Sequence, residues 1–361
     1  MAIHDTEFFL SNYDFYLPPE LIAQYPPKKR SESRLLVVDR SKKNFFESCI
    51  SDIHHFIPEN SVVVFNNSKV IPARIYGTKK KTGGKVEFLL LTPIPLLDIK
   101  NEGKWQSAIC DGLIRTRRSL ASGAEVEFSR DFHLKIIEKG EFGRYRVKLI
   151  WQGDFLNILQ KIGHVPLPPY IKRDDKKEDF LRYQTIFARD DKAGSVAAPT
   201  AGLHFDEDLL KKIQQKVKIC FISLYVGLGT FSPIRCEDIR DHKMHKEFVE
   251  IPKESAKIIN ETKDNGGKVI AVGTTTVRSL EGVFEKLKKI DEYSGWLDTY
   301  IYPGFKFNVV DHMITNFHLP KSSLIVMVSA FASRELILSA YNYAIKRGFR
   351  FFSYGDCMLI L

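Results

Sequence analysis

The chain has 361 residues, 44% of them hydrophobic and 12% aromatic, enough for two domains with a packed core each. Charged residues make up 27% and are mixed in sign, a composition that argues against a disordered chain. The formal charge of +10, from 54 Lys+Arg against 44 Asp+Glu, favours a polyanionic partner such as nucleic acid, although a Lys-rich composition alone gives the same sum.

Five scattered cysteines, Cys49, Cys110, Cys220, Cys236 and Cys357, form no C-x-x-C pair. That argues against a zinc ribbon or a disulfide framework and fits a reducing cytoplasm. The first residues, MAIHDTEFFLSNYDFYL, lack a basic region leading into an apolar one, so no secretory signal is expected. The longest apolar run, LIVMVSAFA at 324–332, is about half a membrane span. A soluble, cytoplasmic protein with no membrane partner is expected.

In chain order, the first 60 residues hold one clear strand, LLVVD at 35–39, too little to bury a core alone. Short β-rich runs follow: VVVF (62–65), VIPARIYG (70–77), KVEFLLL (85–91), WQSAIC (105–110), AEVEF (124–128), FHLKII (132–137) and YRVKLIW (145–151). Glycine-bearing turns separate most of them, the pattern of a small antiparallel barrel or sandwich. From Asp154 the texture changes. Asp154 can cap the helix FLNILQKI and Asp206 the helix EDLLKKIQQK, with a strand after it at 218–227. Pro252 opens a helix to about Asn265, closed by Gly266-Gly267. Strand KVIAVG (268–273), helix TVRSLEGVFEKLKK and a helix over 334–346 complete an α/β pattern. The expected organisation is an α/β domain from residues 1–65 plus 152–361, with an inserted all-β domain over 66–151.

Four segments carry polar, Gly- or Pro-rich, chemistry-bearing residues beside strands or helix starts. AAPTAGLHFDEDLL (197–210) offers Thr200 and His204 just before a helix start, where exposed N–H groups favour anions; a hydrogen-bonded core histidine is the competing reading. LYVGLGTFSPI (224–234) places Gly227 and Gly229 after a strand, a loop for close approach to a ligand and a weak dinucleotide fingerprint, since no third glycine follows. RDHKMHKEF (240–248) sets His242 and His245 on one face if helical, with Glu247 near. It is not H-E-x-x-H and no third ligand has metal spacing, so no metal site is expected and proton transfer or hydrogen bonding suits these histidines better. VIAVGTTTVRSLE (269–281) runs a strand into Thr274, Thr275 and Thr276 at a helix start, suited to a carboxylate or phosphate or simply to capping. It lacks the Lys of a Walker loop, and Arg278 can clamp an acidic group. TNFHLPKSS (315–323) adds His318 ahead of an apolar helix, by default a structural histidine.

These stretches, together with YDFYLPPELIAQYPPKKRSESRLLVVDR (13–40), FNNSKVIPARIYGTK (65–79), HVPLPPYI (164–171), RYQTIFA (182–188), the run from Tyr300 to Ala332 and YGDCMLI (354–360), resemble the S-adenosylmethionine:tRNA ribosyltransferase-isomerases over nearly the whole chain. The resemblance implies a barrel-like α/β catalytic domain with an inserted small β-barrel. It implies transfer of the ribosyl part of S-adenosylmethionine to 7-aminomethyl-7-deazaguanine at the tRNA wobble position, giving epoxyqueuosine, adenine and methionine. S-adenosylmethionine is then a consumed substrate, with no metal or redox cofactor, and a monomer is expected.

In that chemistry the sulfonium acidifies the adjacent ribose carbon, so a base must take a proton there and an acid must help adenine leave. His204, His242, His245 and His318 are the candidates, without assignment of base and acid. The 274–276 turn and Arg278 are candidates for the methionine carboxylate. Lys69, Arg74, Lys79, Lys80 and Lys81 are candidates for tRNA phosphates, or a solvated surface. Two places depart from the family: Tyr225 stands where it commonly has a histidine (L-H-V-G-x-G-T-F), and 109–123 lacks its usual basic, Pro/Gly-containing loop. The rival readings are an S-adenosylmethionine-dependent RNA methyltransferase, disfavoured by the missing Gly-rich loop after an early strand, and a non-catalytic tRNA-binding protein.

Overall fold

The computed structural model describes residues 5–227 and 233–361. Its larger sheet has nine strands, in the spatial order Tyr293–Leu297, Glu247–Ile251, Lys218–Tyr225, Ser61–Asn66, Lys268–Val272, His312–Asn316, Cys357–Ile360, Arg34–Asp39 and Asn44–Cys49. Four neighbours in the middle, from Lys218–Tyr225 to His312–Asn316, run parallel. The strand Arg34–Asp39 is parallel to Cys357–Ile360 and antiparallel to Asn44–Cys49.

Both faces of this sheet are covered, which is why 62–65 reads as an unbroken apolar run and Ser61–Asn66 is buried throughout. Alternate residues serve opposite cores. Leu36, Val38, Val62 and Val64 pack with Ala256, Ile259, Val277, Leu280, Ile325 and Ile337 of the helices on one side. Leu35, Val37, Val63 and Phe65 pack with Ile53, Leu209 and Ile213 on the other. The 324–332 run lies in the helix Ser323–Ala332, a core element buried over most of its length, as an all-round apolar helix must be. Among the described residues no single helix is long and apolar enough to cross a membrane.

Between Arg74 and Trp151 the strands form a second, smaller sheet that closes on itself. Arg74–Lys79, Lys85–Leu90, Trp105–Thr116, Arg144–Trp151, Phe132–Lys139 and Glu125–Ser129 make a ring of six, sealed where Trp105–Thr116 pairs with Arg144–Trp151 over eight register positions. Its interior holds Phe88, Phe132 and Trp151. The helix Phe155–Ile162, capped as expected by Asp154 accepting from the Asn157 N–H at 2.7 Å, places Phe155 and Leu159 in that same interior, and Gly163–His164 pairs with Arg74–Ile75. The change of texture at residue 152 therefore marks a change from strand to helix, while packing against the barrel continues to His164.

Among the described residues no pairing joins the edge strands Tyr293–Leu297 and Asn44–Cys49, so the large sheet is open by its hydrogen bonds and closure belongs to the small one.

Candidate active site

In open α/β sheets ligands bind beyond the carboxyl ends of parallel strands, and one cavity lies there. About 620 Å³ of space, part of it open to solvent, is lined by Tyr170, the 198–201 turn, Val226, Gly273–Thr275, Thr315–Leu319, Ser322, Leu324 and Phe352–Ser353. None of these residues carries a formal charge, and Tyr170 and Phe352 supply an aromatic wall with ring centroids 4.7 Å apart.

Gly273 turns the strand Lys268–Val272 into the helix Thr274–Leu287. Its φ of 93° and ψ of 148° belong to a region that side-chain-bearing residues scarcely enter. The Thr276 hydroxyl donates back to the Val272 carbonyl at 2.7 Å, so Thr276 secures the turn. Thr274 and Thr275 face the cavity at the positive end of the helix, and the Thr275 hydroxyl is buried without a partner.

One strand over, Asn316 is 3% exposed. Its amide donates one N–H to His204 Nε2 at 3.0 Å and the other to the Phe352 carbonyl at 3.0 Å, while Oδ1 is buried with no partner. An unmatched buried acceptor costs about 1–3 kcal/mol, a strain that bound ligand would relieve.

His204 lies behind this amide, not on the cavity wall, and Nδ1 meets the Ser33 hydroxyl at 2.9 Å. Burial, followed by the charges of Arg350 and Arg30, lowers its pKa to about 3. His318 does line the cavity, with Nε2 2.9 Å from the Thr315 hydroxyl and its backbone N–H donating to the Tyr341 hydroxyl at 3.0 Å; burial alone lowers its pKa to about 3. Both are neutral at physiological pH. Thr200 also lines the cavity.

Arg278 is engaged elsewhere. It donates to Glu247 Oε2 at 2.6 Å and to the Thr299 carbonyl at 3.2 Å, and this pair is almost fully buried. Glu247 Oε1 in turn accepts from the Gly227 N–H at 3.0 Å. Gly229 lies outside the described residues. The expected helical face for His242 and His245 is absent, because they sit between the short turn Ile239–Asp241 and the strand Glu247–Ile251. Neither lines the cavity. The His242 ring packs edge-on to Tyr300 at 5.1 Å. Burial, then His245 and Arg278, push its pKa down; burial, then Arg144, do the same for His245, with Glu247 opposing.

Tyr225 points away from the cavity that the next residue, Val226, lines. Its hydroxyl donates to Glu250 Oε2 at 3.3 Å, which also pairs with Lys192 at 2.8 Å. The basic candidates for tRNA lie apart from the cavity and are largely engaged. Lys69 pairs with Asp190 and Lys80 with Glu125. Arg74 Nε is 3.4 Å from Glu87, Lys79 donates to the Arg118 carbonyl at 2.7 Å, and Lys81 is exposed. Asn316, Thr315, Tyr170 and Phe352 were missed by the sequence reading. Asn316 had a signal, a polar residue at a strand end within TNFHLP, whereas the two aromatics look like core.

The sequence profile of the family described as "Queuosine biosynthesis protein" matches residues 10–360. The chain belongs to this family. A relative from Nitratidesulfovibrio vulgaris (strain Hildenborough), named S-adenosylmethionine:tRNA ribosyltransferase-isomerase, is 49% identical, with 98% of each chain covered. One of the same name from Aquifex aeolicus is 45% identical over 98% of this chain and 99% of its own. A crystal structure from Thermotoga maritima, described as an S-adenosylmethionine tRNA ribosyltransferase, matches with a TM-score of 0.54 at 33% identity, covering 97% of this chain and 100% of that one. The resemblance read from the motifs thus holds, and the fold carries it: a mixed α/β molecule with a closed six-stranded barrel, of a transferase-isomerase family.

Proposed function

We infer that this chain transfers the ribosyl part of S-adenosylmethionine to 7-aminomethyl-7-deazaguanine at the tRNA wobble position and isomerises it, giving epoxyqueuosine, adenine and methionine. Family membership across residues 10–360 supports the reaction. What supports a location is the cavity at the strand ends, where a helix start and two residues with buried, unpartnered oxygens line an uncharged space. The first N–H groups of the helix Thr274–Leu287 suit the methionine carboxylate. Tyr170 and Phe352 give apolar surface to the remainder of the donor.

A histidine with a pKa of about 3 is a poor base near neutrality, so His204 and His318 act by hydrogen bonding. His242 and His245, half-buried near Arg278, stay candidates for proton transfer only to a substrate that reaches beyond this cavity. S-adenosylmethionine is consumed in this reading, no further cofactor takes part, and the enzyme works as a cytoplasmic monomer on tRNA carrying the modified base. The same reading treats 66–151 as a unit inserted in 1–65 plus 152–361; the closed ring of strands supports it, with the stretch to His164 added by packing.

The test is to incubate the protein with S-adenosylmethionine and tRNA carrying 7-aminomethyl-7-deazaguanine. Chromatography would follow adenine and methionine, and mass spectrometry the digested nucleoside. Adenine release with the epoxyqueuosine mass is expected. S-adenosylhomocysteine would instead indicate a methyltransferase, and intact S-adenosylmethionine with bound tRNA a binding protein.

A further inference from the structure

The orientation of the Asn316 amide follows from its neighbours. A backbone carbonyl can only accept, so the atom 3.0 Å from the Phe352 oxygen is the amide nitrogen. The same nitrogen meets His204 Nε2, which must then be the unprotonated ring nitrogen, leaving Nδ1–H to donate to the Ser33 hydroxyl. A carbonyl, an imidazole and a serine therefore fix the amide with both N–H groups spent. Oδ1 is left as an acceptor with no partner, in a residue that lines the cavity. Reversing the amide would set two oxygens against each other at Phe352.

Thr275 brings a second unpartnered oxygen to the same cavity. Val272 and Ile314 are register partners on adjacent parallel strands and the Gly273 N–H donates to the Ile314 carbonyl at 2.8 Å, so the helix start at Thr274 and the strand end at Asn316 come from neighbouring strands. Helix N–H donors and neutral oxygen acceptors thus stand side by side. An α-amino acid presents that pairing in reverse: a carboxylate and an ammonium on one carbon. The amino-acid end of such a ligand is a zwitterion and adds no net charge at this spot, so that the sulfonium is the donor's one net charge.

We propose that Asn316 Oδ1 accepts a hydrogen bond from the α-ammonium of S-adenosylmethionine while the helix start at Thr274–Thr275 holds its carboxylate, and that His204 is the positioning residue that keeps the amide so turned. The proposal rests on S-adenosylmethionine being the donor.

The experiment compares kcat/KM and calorimetric affinity for S-adenosylmethionine, its desamino analogue and its decarboxylated analogue, in the wild type, Asn316→Leu, His204→Leu and His204→Gln. A site built around a hydrogen bond rejects the analogue lacking it strongly, so the wild type should prefer S-adenosylmethionine to the desamino compound by on the order of 100-fold. In Asn316→Leu that preference should shrink to less than about 5-fold, since the bond is no longer there to lose, while the penalty for the decarboxylated compound stays. His204→Leu should shrink it similarly. His204→Gln, whose amide can accept from Asn316 and donate to Ser33, should restore it. The histidine pair answers the same question if Asn316→Leu does not fold. An unchanged preference in Asn316→Leu or in His204→Leu overturns the proposal. A wild type that releases no adenine overturns the underlying reaction instead, and is distinguishable because the calorimetric preference still reads the site without turnover.

Discussion

Four histidines that look alike in the sequence occupy two different electrostatic settings. His204 and His318 are enclosed by residues far away in the chain, Ser33, Asn316 and Tyr341 among them, and a local motif holds no trace of such enclosure. The folded pKa of each is about 3 against an unfolded value near 6.5. Above pH 6.5 both states are neutral and the full stability is present. As the pH falls below 6.5 the unfolded chain takes up protons that the folded one refuses, so stability is lost down to about pH 3. The slope is about 1.4 kcal/mol per pH unit for each such histidine once below its unfolded pKa. Urea unfolding between pH 7 and 5 should show a falling midpoint, and His204→Gln should remove one histidine's share. A profile flat across that interval would contradict neutral burial. The sequence thus named one histidine, His318, that lines the cavity, but gave no sign of its protonation state.

Elements were legible where their signals are local. The Asp154 and Asp206 caps appear as expected, donated to by Asn157 and Leu209. The helix after Gly273 begins two residues earlier than its apolar pattern suggests, because the three threonines form its first turn. Strands such as His312–Asn316 and Cys357–Ile360 were missed, since short segments become strands only through partners distant in sequence. Two predictions belong here. Gly273→Ala adds a Cβ with ordinary contacts, 3.4 Å from the Thr275 hydroxyl and 3.7 Å from Ala201, so its penalty is the backbone conformation, about 1–3 kcal/mol. A lowered melting temperature with a raised KM for S-adenosylmethionine is expected. Arg278→Met takes away the cation that faces the buried Glu247 carboxylate, at about 3–5 kcal/mol, whereas Arg278→Met with Glu247→Leu should recover much of that loss. Denaturant midpoints of both variants check it; equal losses would remove the ion pair as the cause.

For the molecule as a whole, the strand-rich middle and the alternating remainder were readable from texture, and motif order reached the family. Texture did not reveal that the barrel's packing runs on to His164, because an amphipathic helix looks the same whichever core it faces. Charge also reads differently in three dimensions. Lys69 and Lys80 already face Asp190 and Glu125, although exposed pairs of this kind hold by only about 0–1 kcal/mol and can be exchanged for phosphate. If one of these lysines contacts tRNA, its replacement by alanine should reduce the slope of log affinity against log salt by about 0.7–0.9. Filter binding across a salt series measures this, and an unchanged slope assigns that lysine to the solvated surface.

Among the described residues the hairpin of Arg34–Asp39 and Asn44–Cys49 joins the large sheet only through Cys357–Ile360, and the Arg34 N–H meets the Asp356 carboxylate across 322 positions of sequence. At 5–20 residues per second, a ribosome needs roughly 16–64 s to supply that partner. Throughout that interval the nascent chain carries an apolar strand with a vacant edge. Assembly of this sheet is therefore delayed at one end, since the hairpin waits for a strand made 322 positions later.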